Sequence, residues 1–197
     1  TDFTNVTGSY TTWTSATLWS PDFTGADLVG ANFTSAELTT ATATGANLTN
    51  ANLKLTTLTN LSAVGATLDG ASLVHTNATG AVLNSASMVG VTGRYANLTD
   101  ALLYGADLSN ASLVWSNFDN AQAFGAKLTG ASITDSSFRR TKFEDVDLTG
   151  ANLTGSTMSN MNLQAANLTG ADVSHTDMTG TNLWGTILTN ANLTGAV

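Results

Sequence analysis

His75 and His175 are the only imidazoles in a 197-residue chain that contains no cysteine, so metal chemistry or imidazole acid–base chemistry would draw on them together with the carboxylates. No G-x-S-x-G elbow sets a serine for nucleophilic attack, and the glycines are spread evenly instead of gathering into a phosphate-cradling loop. The densest charged stretch is SSFRRTKFEDVD, which holds Arg139, Arg140, Lys142, Glu144, Asp145 and Asp147. A calcium site there would need about six to eight converging oxygens, and mutual pairing of exposed charges is the simpler expectation. N-x-T sequons at Asn5, Asn32, Asn47, Asn97 and Asn152 would permit N-glycosylation in a secretory host.

Composition narrows the classes further. Hydrophobic residues make up 42% of the chain, enough for a sizeable core. Only 10% of residues are charged, against about a quarter in ordinary globular chains. The net charge is -8, with six Lys and Arg in all, which argues against direct nucleic-acid binding, since that needs clustered cations. No apolar run approaches membrane-spanning length, so no membrane insertion is expected. Thr1 opens the chain without a methionine or a signal-like segment, as processing or trimming would leave it. The expected location leans to extracellular or periplasmic.

What could position side chains here is a beat of five residues. Phe3, Trp13, Leu18, Phe23, Leu28, Phe33 and Leu38 share one phase, and Leu183, Leu188 and Leu193 keep it at the far end. The exceptions in that slot are small: Gly8, Ala43, Ala63, Ala78, Gly93 and Ala123. Two residues earlier sits mostly Ala, as at Ala26, Ala46, Ala106, Ala151 and Ala191. A period of five fits neither a helix nor an alternating strand. It does fit short extended segments that each turn a corner, with the small and the large apolar residue facing inward and Gly or Asn relaxing the corner. Pro21 occupies a small slot and removes one backbone donor there. The unbroken phase makes residues 1–197 a single unit.

The units ADLVG, ANLTN, ADLSN, AKLTG and ANLTG resemble the pentapeptide-repeat family along essentially the whole chain. The resemblance implies an all-β fold: a right-handed parallel β-solenoid of square cross-section, about ten coils of twenty residues, with no obvious terminal helices. Residues twenty apart should then stack at about 4.8 Å. Lys127 falls between Asp107 and Asp147, and Asp119 beside Arg139. Leu61 in a small slot and Ala63 in a large one form a swap that conserves volume. The two histidines share a slot but lie five coils apart, roughly 24 Å, too far to share a metal.

Outward slots are polar by default, so apolar ones mark candidate surfaces. One column is Leu55, His75, Tyr95 and Trp115, flanked by Lys54, Val74, Arg94 and Val114; a second cluster is Val82, Leu102, Tyr104 and Phe124. At the ends, Phe3, Trp13 and Leu18, and Leu183, Leu188 and Leu193, are the candidates for end-to-end contact. The sequence shows no cap, and either head-to-tail stacking or excision from a longer chain would account for bare ends. The function expected is a non-enzymatic scaffold rod, self-assembling or bound to another protein, with no cofactor. The resemblance adds an alternative, because fluoroquinolone-resistance members of the family mimic DNA and bind DNA gyrase. Threonine ranks such as Thr39, Thr59, Thr79 and Thr99, or Thr129, Thr149, Thr169 and Thr189, raise ice binding as a lesser reading.

Overall fold

A computed structural model describes residues 1–197. The residue before each large inward residue bridges in parallel to the residue twenty further on, from Asp2 with Asp22 to Asp172 with Asn192. Twenty residues therefore make one coil and each five-residue repeat makes one side, giving a right-handed parallel β-solenoid of square cross-section. No helix occurs anywhere in the chain. We number the faces by their first repeats: face 1 begins with residues 1–5, face 2 with 6–10, face 3 with 11–15 and face 4 with 16–20.

A count of backbone donors explains the repeat. In the pattern set by Phe23, its N–H donates to Thr42 O at 2.7 Å on the next coil, and Gly25 N–H to Thr44 O at 2.9 Å. Asp22 N–H reaches back to Thr1 O at 2.8 Å, and Ala26 N–H closes the turn onto Phe23 O at 2.9 Å. That leaves one donor per repeat, on the residue after the large one. A side chain takes it: Thr24 N–H donates to Asp22 Oδ1 at 2.9 Å, Thr34 N–H to Asn32 Oδ1 at 3.0 Å and Thr154 N–H to Asn152 Oδ1 at 3.0 Å. This Asx turn gives Asp and Asn their place before the leucine. Where that slot is apolar, the coil below can supply the oxygen, as Asn84 does for Tyr104 N–H at 3.0 Å. The Thr149 hydroxyl, donating to Asp147 Oδ1 at 2.6 Å, is the main cause holding the Asp147 carboxyl below its ordinary range.

Each side ends at a corner, and every fifth residue from Asn5 to Gly195 is left-handed, with φ between 43° and 72°. Glycine enters that region freely, Asn and Asp tolerate it, and other residues are strained there. At Gly70 a second reason applies, since a Cβ would lie 2.4 Å from Asn50 Oδ1, which leans over it from the coil below.

The small and large inward residues form one continuous hydrophobic core. Its packing is looser in one place than the leucine repeat leads one to expect. A cavity of about 20 Å³ lies among Phe23, Leu38, Ala41, Ala43, Leu58 and Leu61, all apolar. It sits where Ala43 takes a large slot with only Ala41 beside it. At Ala63 the same shortfall is covered by Leu61, and both are buried. Ala43→Leu is therefore expected to stabilise the protein by about 1 kcal/mol through filling the gap, whereas Ala63→Leu, forced against Leu61, destabilises it by about 1–3 kcal/mol. Denaturant midpoints of the two variants check this.

Candidate functional site

Leu55, His75, Tyr95 and Trp115 occupy the corner after face 3 on successive coils, all left-handed, with φ of 60°, 56°, 61° and 57°. Three of the four members foreseen from the twenty-residue spacing are in ring-to-ring contact. The His75 and Tyr95 rings stack at 4.8 Å and the Tyr95 and Trp115 rings at 5.2 Å, each pair 16° from parallel. Leu55, Tyr95 and Trp115 keep 50%, 44% and 40% of their surface exposed. Arg94, beside the column, lays its guanidinium carbon 3.8 Å from the Trp115 ring centroid and 5.2 Å from that of Tyr95. The sequence put Arg94 next to the column; the cation–π contact depends on its rotamer and was not foreseen.

Beneath this corner runs a second feature that the sequence reading passed over. The small slot of face 4, directly after the corner, holds Thr56, Thr76, Ser116, Ser136, Ser156 and Thr176, all buried, with Ala96 interrupting the series after Tyr95. Thr56 Oγ1 donates to Phe33 O at 2.8 Å, Ser116 Oγ to Gly93 O at 2.8 Å and Ser156 Oγ to Ile133 O at 2.9 Å, each tying one coil to the coil below. Ser136 and Ser156 do more: Ser136 Oγ donates to Leu113 O at 3.0 Å and accepts Ser116 N–H at 3.0 Å, and Ser156 Oγ likewise accepts Ser136 N–H at 3.1 Å. The repeat of hydroxyls at twenty-residue spacing was the available signal. The Leu55, His75 and Trp115 corners are each followed by such a hydroxyl, whereas the Tyr95 corner is not.

The second candidate cluster lies on face 1, across the prism. Tyr104 and Phe124 are exposed and Val82 and Leu102 half-buried, with Val64 extending the patch downward. Val82 and Leu102 are bridged neighbours, and the Tyr104 hydroxyl is bonded to the Gln122 side chain. At one end, Phe3 and Trp13 pack on the next coil, stacked on Phe23 at 5.0 Å and on Phe33 at 5.8 Å. Leu18 and Leu188 are partly covered, and Leu183 and Leu193 are exposed.

Other expectations change. The charged stretch around Arg139 is not a mutually paired set: Arg139 and Asp119, at 3.9 Å, form the one ion pair in the protein, and Glu144 accepts instead from Asn162 Nδ2 at 2.7 Å. Lys127 is bridged between Asp107 and Asp147 through the backbone without a close ionic contact. Most members of the threonine ranks are committed internally, with Thr79, Thr99 and Thr169 Oγ1 donating to the Asn two residues before at 2.6–2.7 Å. Asn97 Nδ2 in turn donates to Thr79 Oγ1 at 3.0 Å, so that sequon's amide is held between coils. His75 and His175 stand at corners five coils apart, where His175 leans over Gly195.

A family model described as pentapeptide repeats matches in eight copies, over residues 22–60, 64–92, 96–135, 124–160 and 158–195. Among solved structures, HetL, a pentapeptide repeat protein involved in heterocyst differentiation regulation from the cyanobacterium Nostoc sp. strain PCC 7120, is similar at a TM-score of 0.97 and 28% identity, covering 100% of this chain and 88% of that one. QnrB1, a plasmid-mediated fluoroquinolone resistance protein studied in a trypsin-treated form, is similar at a TM-score of 0.64 and 15% identity, covering 89% and 90%, and shares the fold. No curated protein sequence matches.

The buried hydroxyl column predicts a measurable asymmetry. Ser136→Ala removes the hydroxyl inserted between the Ser116 N–H and the Leu113 carbonyl, leaves those two groups to close the ordinary turn bond on each other, and is expected to lower unfolding free energy by about 0.5–1.5 kcal/mol. Ser112→Ala, at an exposed outward slot, is expected to stay within about 0.5 kcal/mol of the parent. Urea unfolding followed by circular dichroism separates the two.

Proposed function

The chain belongs to the pentapeptide-repeat family, and from that footing we propose that it is a non-enzymatic rod that binds another protein through the corner strip of Leu55, His75, Tyr95 and Trp115. The observation that carries this reading is the placement of large side chains where the backbone resists them. A non-glycine residue in the left-handed region is strained by about 1–2 kcal/mol, less for Asn and Asp. Elsewhere corners are commonly filled by Gly, Asn or Asp. Other strained corners, such as Tyr10, Thr40, Arg140 and His175, stand singly, with no large residue one coil away, whereas four consecutive large residues on one edge run against that economy, and a run of strained positions supports a surface kept for use. Exposed aromatic side chains with few rotatable bonds are also what protein interfaces employ as anchors. HetL, involved in regulation of differentiation, is a relative for which a role without chemistry is natural. The core is closed by its own side chains apart from the small apolar gap, so a partner must dock outside.

The reading is tested by replacing Tyr95 and Trp115 with Asn, a residue at home in these corners. The double variant is expected to keep the parent's melting temperature within about 3 °C while losing capture of the partner that the parent retains. A large thermal loss would instead assign the stack to stability.

End-to-end association is a second reading, favoured by the exposure of Leu183 and Leu193 and the partial cover of Phe3, Trp13 and Leu18. In that case sedimentation at tens of micromolar shows concentration-dependent growth that Leu188→Lys with Leu193→Lys abolishes; a single monomeric boundary for the parent removes it.

A further inference from the structure

Face 3 differs electrostatically from the rest of the rod. From Thr12 through Ser132 its outward and corner positions carry no carboxylate, yet they hold Lys54 and Arg94, two of the chain's six cations, within a net charge of -8. Lys54 and Arg94 share one column two coils apart, about 10 Å at the parallel-strand spacing. Both are exposed, and both border the aromatic strip.

Arg94 is also prepared for a ligand. Its guanidinium lies over Trp115, with the carbon 3.8 Å from the ring centroid, and no carboxylate comes within 4.0 Å of it. Stacking fixes the plane of a guanidinium and engages its face, while its N–H donors lie in that plane and stay available for a two-pronged bond to a carboxylate. The groups around it are compatible with an incoming anion. Val74 and Val114 lie below and above in its column, His75 and Tyr95 stand at the corner, Asn77, Asn97 and Asn117 line the adjoining side of face 4, and the acids on this side are Asp135, one coil above Trp115, and, across face 4, Asp100 and Asp119, the last paired with Arg139.

We propose that the strip docks an acidic, extended segment of a partner protein, with one carboxylate held by Arg94, a second about 10 Å away held by Lys54, and the intervening side chains laid against Leu55, His75 and Tyr95. This names the partner's chemistry and rests on the protein-binding reading above. The acids on the other faces oppose the same segment elsewhere and so orient its approach.

The test uses the full chain and three fluorescent probes at 50 mM salt: a twelve-residue peptide alternating Asp and Thr, the same peptide with Lys for Asp, and a twelve-nucleotide oligothymidylate. The acidic peptide is expected to bind and the lysine peptide not to. Arg94→Gln should weaken binding at least tenfold, Trp115→Asn should weaken it severalfold by releasing the guanidinium, and Arg94→Lys should restore only part of the loss. Circular dichroism confirms that each variant is folded. Equal binding of the acidic peptide by the parent and Arg94→Gln, binding of the oligothymidylate as tight as that of the peptide, or no binding of the acidic peptide overturns the proposal. If the acidic peptide fails while Tyr95→Asn with Trp115→Asn still abolishes partner capture, the partner's acidity is wrong and the docking strip stands. If both fail, the protein-binding reading falls as well.

Discussion

The left-handed corner is the constraint from which the rest of the molecule follows. Turning the chain every fifth residue places three residues on each side, and three residues can present two apolar side chains inward only as the first and the last of them. The small one must be small because it enters just after the bend. The large one meets its counterparts from the other sides along the axis. Corner conformation, inward pattern and the choice of Asp or Asn between them are thus one geometric problem. The side-chain oxygen of that Asx residue takes the amide that the inter-coil ladder omits, as Asp22 does for Thr24, and this keeps a rod of such short segments saturated with hydrogen bonds.

Much of this was legible in the sequence because each repeat says the same thing. Phase alone separates inward from outward residues, and twenty-residue spacing, once adopted, places His75, Tyr95 and Trp115 in one column. What escaped reading depends on relations between coils that the repeat does not encode. The cavity at Ala43 and its absence at Ala63 go with the neighbour two residues before, Ala41 or Leu61, yet Ala123 beside Ala121 is packed without a cavity, so the letters acquire meaning only in the packed core. Ion pairing around Arg139 failed to spread because exposed charges at neighbouring slots can face water more cheaply than one another. The contact of Arg94 with Trp115 lay beyond a column reading, since it depends on a long side chain bending onto the next coil.

Interior and exterior are linked at one edge. The corner that carries the large aromatic residues is followed by the slot in which buried hydroxyls concentrate, and those hydroxyls reach backbone carbonyls of the coil below. At Ser116 the ordinary turn bond is replaced by one from its N–H to Ser136 Oγ. The edge with the strained surface is thereby an edge with extra polar stitching, broken only at Ala96 behind Tyr95.

The arithmetic of the coil sets two different rules for how such a chain can change length. Insertion or deletion of five residues preserves every inward and outward assignment, every corner and every Asx turn, so the rod tolerates it. The same change rotates everything beyond it by a quarter turn. Five residues lost between His75 and Tyr95 would leave a sound solenoid whose aromatic column breaks, its upper half carried round to a different edge. Only steps of twenty keep the faces in line. Architecture here repeats with period five and surface identity with period twenty, and a lineage of such chains can gain or lose binding edges by slippage alone, with no residue in the core replaced.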